Sequence, residues 1–187
     1  MRIVVGITGA SGMIYAWRLL EVLREKKIES YVIMTHPAQK ILRHELSLEP
    51  DEVYRLATEH FEVDDLTSPA ASGSWIFDAM TIVPCSMASA SAIACGLSKN
   101  LLLRVADICL KEGRPLIVVP RETPLNTIHL ENLLRLSRAG ALIIPACPAF
   151  YHNPQRIQDL VDFLVGRILQ RLGVDHDLFR PWRSPPT

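Results

Sequence analysis

Along this chain, short unbroken apolar runs alternate with longer stretches whose apolar positions recur every three to four residues. The unbroken runs are "RIVVGIT" (2–8), "ESYVIM" (29–34), "AMTIVP" (79–84), "RPLIVVP" (114–120) and "ALIIP" (141–145). Their length and continuity predict strands buried on both faces. The periodic stretches predict helices. "SGMIYAWRLLEVLREK" (11–26) spaces Ile14, Trp17, Leu20, Val22 and Leu23 helically, and "SMASASAIACG" (86–96) is a helix of small residues. "NLLLRVADICLKEG" (100–113) closes on Gly113, and "NPQRIQDLVDFLVGRILQRLG" (153–173) has Pro154 in its first turn and Gly173 at its end. The stretch "LIVVPRETPLNTIHLENLL" (116–134) begins as a strand and ends as an amphipathic helix. Helical turns are expected at 37–46 and 51–59, and a short strand at "FEV" (61–63).

Strand–helix alternation of this kind predicts a three-layer α/β/α protein of the Rossmann or flavodoxin-like class with a mainly parallel sheet. Right-handed crossovers gather the loops after the strand C-termini on one edge, where such sheets bind ligands. The loops there are "GASG", "THPA", "PCSMAS", "PRETP" and "PACPAFYHNP". They carry hydroxyls, glycines, an Arg–Glu pair and a Tyr-His, which points to a ligand site rather than to plain turns.

Composition narrows the picture. The 187 residues, 49% of them apolar, suit one domain over 1–187 with an arm-like tail at about 176–187. Twenty basic and 20 acidic residues cancel to a net charge of 0, which argues against nucleic-acid partners. Four scattered Cys form no C-x-x-C pair, and the six His lack ligand spacing, so no metal is expected and a reducing cytoplasm fits. The opening "MRIVVGIT" is too short for a signal peptide, and no apolar run approaches the ~20 residues that span a bilayer.

"GITGASG" puts Gly6, Gly9 and Gly12 between a strand and a helix but is not the dinucleotide fingerprint. Glycine still permits close approach of backbone to ligand, and Ser11 can cap the helix. Ser86, Ser89 and Ser91 open another helix, where hydroxyls and free N–H groups suit an anion; the small residues equally suit close helix packing. In "PRETP", Arg121 can read a phosphate or a flavin carbonyl, and Glu122 can orient that Arg or move a proton, with Pro120 and Pro124 stiffening the loop. Trp75 in "SGSW" is either a core aromatic or a ligand wall, and Arg104 and Lys111 lie seven apart on one helix face. Arg167 is, by pattern, a solvated helix charge.

Taken together, "GITGASGMIYAWRLLEVL", "SGSW", "PCSMAS", "NLLLRVADICLKEGRPLIVVPRETPLNTIHLENL" and "PAFYHNPQRIQDLVDFLVGRIL" resemble the flavin prenyltransferases of the UbiX type over nearly the whole chain. The resemblance implies transfer of a dimethylallyl group from dimethylallyl monophosphate to reduced FMN, at N5 and then C6. It implies a metal-free homododecamer with sites between subunits, and delivery of prenylated FMN to a UbiD-type decarboxylase. Matched residue by residue, FMN contacts fall on Gly9, Ala10, Ser11, Thr35, Ser86, Met87, Ala88, Ser89 and Arg121. The prenyl phosphate falls to Lys111, Tyr151 and Arg167, with Arg104, Glu122 and Trp182 nearby. Glu45 matches an acidic residue near the leaving phosphate, with Glu49 as the alternative, and Trp75 suits the apolar wall around the allyl group. Thr35 stands where Ser is common, and Met13 where a small residue is common, which narrows the wall beside the flavin. The competing readings are an FMN-dependent cysteine-type decarboxylase and a non-catalytic FMN carrier.

Overall fold

The computed structural model describes residues 1–182; residues 183–187 of the expected arm lie outside the described residues. Six parallel strands form one sheet in the order β3-β2-β1-β4-β5-β6. They are β1 (Arg2–Ile7), β2 (Glu29–Met34), β3 (Glu59–His60), β4 (Ala79–Cys85), β5 (Leu116–Pro120) and β6 (Leu142–Ile143). The helices are α1 (Met13–Glu25), α2 (His36–Leu46), α3 (Pro50–Tyr54), α4 (Met87–Ala94), α5 (Leu101–Glu112), α6 (Thr127–Arg138) and α7 (Ile157–Arg171). Strand order reverses between β1 and β4, which pair in register from Ile3↔Ala79 to Gly6↔Ile82. That reversal opens a crevice at the strand C-termini, the usual ligand position of such sheets.

The central strands are continuous apolar runs because both faces are covered. One core cluster joins Leu19, Leu20 and Leu23 of α1 to Val165, Ile168 and Leu169 of α7 across Val5 and Val32. The other joins Leu101, Leu102 and Ile108 of α5 to Met80, Ile82 and Val118. Each such side chain contributes roughly 1.5–3 kcal/mol by leaving water. Arg18 of α1 donates to Asp162 of α7 at 2.7 Å and clasps the first of these layers at its rim.

Three expectations need correction. The third strand is Glu59–His60, not 61–63; Phe61 still donates to Val32 at 2.9 Å, and the chain then leaves the sheet edge. The last strand is only Leu142–Ile143, although single bonds to β5 run on past it, from Ile144 N–H to the Val118 carbonyl at 2.9 Å and from Ala146 N–H to the Pro120 carbonyl at 3.0 Å. The final helix begins at Ile157, beyond Pro154. Its start is set by the Asp159 carboxylate, which accepts from the backbone of Gln155 at 2.9 Å and Arg156 at 3.0 Å. The helix after Asn153 is delayed further by that residue's left-handed backbone, φ 55°. Among the described residues no helix is long and apolar enough to cross a membrane.

Burial separates the thiols. It pushes Cys85 and Cys109 up to about 12, while Cys95 and Cys147 are exposed. A thiol-specific reagent on native protein at neutral pH is expected to modify Cys95 and Cys147 and to reach Cys85 and Cys109 only on unfolding. Because the unfolded thiols ionise near 9, their contribution to stability is full below that pH and is lost as pH rises towards about 12.

Candidate active site

Three loops build a cradle at the β1/β4 crevice. Thr8, fully buried, fastens two of them: its Oγ1 donates to the Pro84 carbonyl at 3.0 Å and accepts from the Ser86 N–H at 2.7 Å. Ser86 in turn caps α4, accepting from the Ser89 N–H at 3.2 Å and donating to the Ser89 hydroxyl at 3.1 Å. Thr35 caps α2 by accepting from Ala38 at 3.4 Å. Gly9 lies so close to this turn that a Cβ there would stand 2.5 Å from Pro37 Cβ, so the approach requires glycine. Gly9, Ala10, Ser11, Thr35 and Ser86–Ser89 are thus brought together at one edge, as expected. Ala10 and Met87 turn their side chains into the interior and leave backbone groups for a ligand. Met13 is also buried in the core, so it does not narrow the cradle wall.

Ser11 is not the cap of α1. The N-cap is Gly12 without a side-chain bond, and the Glu45 carboxylate from α2 takes the cap's place. It accepts from Gly12 N–H at 2.9 Å and Met13 N–H at 2.9 Å. A carboxylate is well matched to the positive end of a helix. Glu49 is turned away, paired with Arg43 at 2.8 Å and accepting from the first turn of α3. Of the two candidates, therefore, Glu45 reaches the cradle.

Arg121 and Glu122 do not pair with each other. Glu122 Oε1 accepts from the neighbouring Thr123 N–H at 3.0 Å. Arg121 is pinned by its own N–H to the Cys85 carbonyl at 3.2 Å, while its side-chain Nε is buried and lacks a hydrogen-bond partner. A buried charged donor without an acceptor is costly, so its natural complement is an oxygen supplied from outside the chain. The cavity beside it, about 280 Å³, is lined by Arg121, Glu122, Thr123, Leu133, Pro145 and Cys147. A flavin mononucleotide fits this chemistry: hydroxyls and backbone N–H groups for a phosphate, and a guanidinium for an oxygen of the ring system.

A second group lies along the sheet edge formed by β6. Tyr151 packs edge-on against Trp182 at 5.1 Å and against Phe163 of α7 at 5.7 Å. Arg167, on the same helix, donates to Gln170 at 3.0 Å and lines a cavity of about 280 Å³ with Phe163, Pro145 and Cys147. Pro145 and Cys147 line this cavity and that of Arg121 alike, so the two groups adjoin.

A third group lies elsewhere. Lys111 ends α5 and Trp75 precedes β4, so both belong to the strand N-termini. The seven residues of β4 separate that edge from the cradle by roughly 20 Å. Trp75 is half-buried, set edge-on to Tyr31 at 5.0 Å and Phe61 at 5.5 Å. Arg104 and Lys111 do share one face, and both address the 71–75 loop. Arg104 donates to the Ala71 carbonyl at 3.1 Å and pairs with Asp107 at 2.7 Å. Within one chain the expected set therefore divides: Arg121, Glu45 and the hydroxyls at one edge, Lys111, Arg104 and Trp75 away from it. Sequence reasoning passed over Thr8, whose signal was a lone hydroxyl ending an apolar strand, and over Glu112 and Arg114. Among the described residues there is no cluster of three or more His, Cys, Asp or Glu that could hold a metal.

A doubly wound parallel sheet with a hydroxyl-rich anion cradle at its switch point defines a nucleotide- or flavin-binding α/β protein. A family model described as Flavoprotein matches residues 1–169. The flavin prenyltransferase UbiX of Methanocaldococcus jannaschii is 53% identical over 97% of this chain and 98% of its own length. A crystal structure of AnUbiX (PadA1) in complex with FMN and dimethylallyl pyrophosphate superposes with a TM-score of 0.96 at 40% identity, covering 99% of this chain and 98% of that one. A dodecameric FMN-dependent UbiX-like decarboxylase from Escherichia coli O157:H7 superposes equally well, 0.96 at 39% identity, covering 98% of this chain and all of that one. The chain belongs to the UbiX flavin prenyltransferase family of flavoproteins.

Proposed function

We propose that this chain, one domain over residues 1–187, transfers the dimethylallyl group of dimethylallyl monophosphate to reduced FMN. The observation that carries the reading is the buried, partnerless Arg121 Nε, at the same strand-end edge as the hydroxyls that cap α2 and α4. Reduced FMN supplies the nucleophilic ring atoms, N5 and then C6, that take the prenyl carbons. Gly9, Ala10, Ser11, Thr35 and Ser86–Ser89 hold its phosphate and ribityl chain, and Arg121 donates to the flavin. As the allylic C–O bond breaks, negative charge gathers on the phosphate. Lys111, Arg104, Arg167 and the Tyr151 hydroxyl stabilise that charge in a dry site. Glu45 and Glu122 hold or return protons at the phosphate oxygens. Trp75 and Trp182 wall off water from the allyl group, with cation–π attraction available at an indole face.

Lys111 and Trp75 lie roughly a strand length from Arg121, so no single chain unites the set. That separation supports a site completed by a second copy in a dodecamer. The exposed apolar side chains Ile128, Leu130, Leu134, Phe150 and Ile157 are available for such contacts. The product is then passed in the cytoplasm to a UbiD-type decarboxylase.

The test is anaerobic incubation with reduced FMN and dimethylallyl monophosphate, followed by mass spectrometry of the released flavin. A flavin heavier by one prenyl unit is expected, with less product from the diphosphate. Unmodified FMN from both donors, with FMN binding intact, would overturn the reading in favour of a carrier.

A further inference from the structure

Three cations converge on one short loop at the N-terminal edge of the sheet. Arg104 holds the Ala71 carbonyl at 3.1 Å. Arg114 donates to the Gly73 carbonyl at 2.6 Å and to the Trp75 carbonyl at 2.9 Å, with its guanidinium 4.5 Å from the centre of the Phe77 ring. Between them the loop folds on itself: the Ser72 and Ser74 hydroxyls are 2.7 Å apart, and the Ser74 N–H donates to Ser72 Oγ at 3.2 Å. The third cation, Lys111, lies directly on the loop and donates to Glu112. A Cβ added at Gly73 would stand 2.7 Å from Glu112 Oε1 and 3.1 Å from Lys111 Nζ.

A lysine on a helix end is ordinarily a flexible, solvated charge that loses side-chain entropy when held. Here the ammonium, its side chain still 45% exposed, rests in a seat. Its floor is the bare backbone of Gly73, its side is the Glu112 carboxylate, and the floor is itself pinned through two carbonyls. A guanidinium fork can hold both carbonyls at once, which a single ammonium cannot. Arg114 points its donors into the loop backbone, so its charge is spent on holding the loop.

We propose that Arg114 and Gly73 are positioning residues for Lys111. Arg114 fixes the 73–75 backbone, and the missing side chain at Gly73 leaves the room in which the Lys111–Glu112 pair lies. The inference rests on Lys111 binding the prenyl phosphate, as argued above. It adds that the ammonium is pre-organised before the donor arrives, so that little entropy remains to be lost on binding.

The test uses holoenzyme carrying oxidised FMN, so that binding is read without turnover, and titrates dimethylallyl monophosphate calorimetrically. Gly73→Ala and Arg114→Gln are each expected to weaken donor binding about tenfold while FMN affinity and melting temperature stay near wild type. Arg114→Lys, which keeps the charge and loses the fork, is expected to bind like Arg114→Gln. Full donor affinity in Arg114→Lys would overturn the clamp. Lys111→Met serves as the reference. Weak donor binding in Lys111→Met with normal binding in Gly73→Ala would overturn the positioning inference alone. Normal binding in Lys111→Met would overturn it together with the role given to Lys111.

Discussion

Arg121→Met is expected to lose about 100-fold in FMN affinity and, at the same time, to leave the flavin-free protein as stable or more so. The two signs come from one atom. In the flavin-free chain Arg121 Nε is buried and has no partner. Such a donor costs about 1–3 kcal/mol in lost hydration. Methionine is similarly long and apolar, so it removes that cost without opening a large cavity. For a chain of this size each kcal/mol is worth about 2–4 °C of melting temperature. With FMN bound, the balance reverses. A charge-assisted hydrogen bond contributes about 1.5–3 kcal/mol, and a tenfold change in affinity corresponds to ~1.4 kcal/mol. FMN titration by flavin fluorescence and a thermal melt of flavin-free protein measure the two halves separately. Unchanged affinity together with a lower melting temperature would mean that Arg121 is a structural residue and that its Nε does not await a ligand.

The fold was legible because its central strands are buried on both faces. "RIVVGIT", "AMTIVP" and "RPLIVVP" have no polar face to hide, and continuous apolar runs of that length fit few other structures. Edge elements were harder. Whether β3 fell at 59–60 or 61–63 depended on which exposed residues happened to reach Val32, and periodicity carries no information about that. The cradle was legible for a related reason. Loops after parallel strands share one edge whatever their length, so "GASG", "THPA" and "PCSMAS" could be grouped without knowing a single distance. What the residues could not reveal was which groups satisfy one another. Glu45, rather than Ser11, closes the start of α1, although the two positions are separated by a helix and a strand. Spacing also paired Arg121 with Glu122, whereas Glu122 is occupied by its own loop and Arg121 faces a cavity. The family resemblance puts Lys111 and Arg121 in one site, but the α5 crossover carries Lys111 to the far edge of the sheet. Chain topology decides whether one copy can bring the residues of a motif together, and here it sets Lys111 and Arg121 at opposite edges.

Thr8→Val is expected to damage the cradle more than any other single change that leaves every proposed ligand contact in place. Thr8 Oγ1 donates to the Pro84 carbonyl and accepts from the Ser86 N–H, tying the end of β1 to the loop that opens α4. Valine has nearly the same shape but no hydroxyl. The Pro84 carbonyl keeps a second donor, the Thr8 N–H at 3.2 Å, so its loss is partial. The Ser86 N–H has its acceptor removed and costs about 1–3 kcal/mol where water cannot replace it. That corresponds to a fall of roughly 2–12 °C in melting temperature. Ser86 also caps α4 and orients Ser89, so FMN affinity is expected to fall about tenfold as the two hydroxyls lose their register. Thr8→Ser keeps the hydroxyl and is expected to restore affinity. Leu20→Ala separates this effect from general loosening. It opens a cavity in the α1 layer, away from the crevice, and is expected to cost about 2–5 kcal/mol. Below its melting temperature it is nevertheless expected to bind FMN like wild type. Wild-type FMN affinity in Thr8→Val, or equal loss of affinity in Leu20→Ala, would show that the hydroxyl bridge does not set the cradle's geometry.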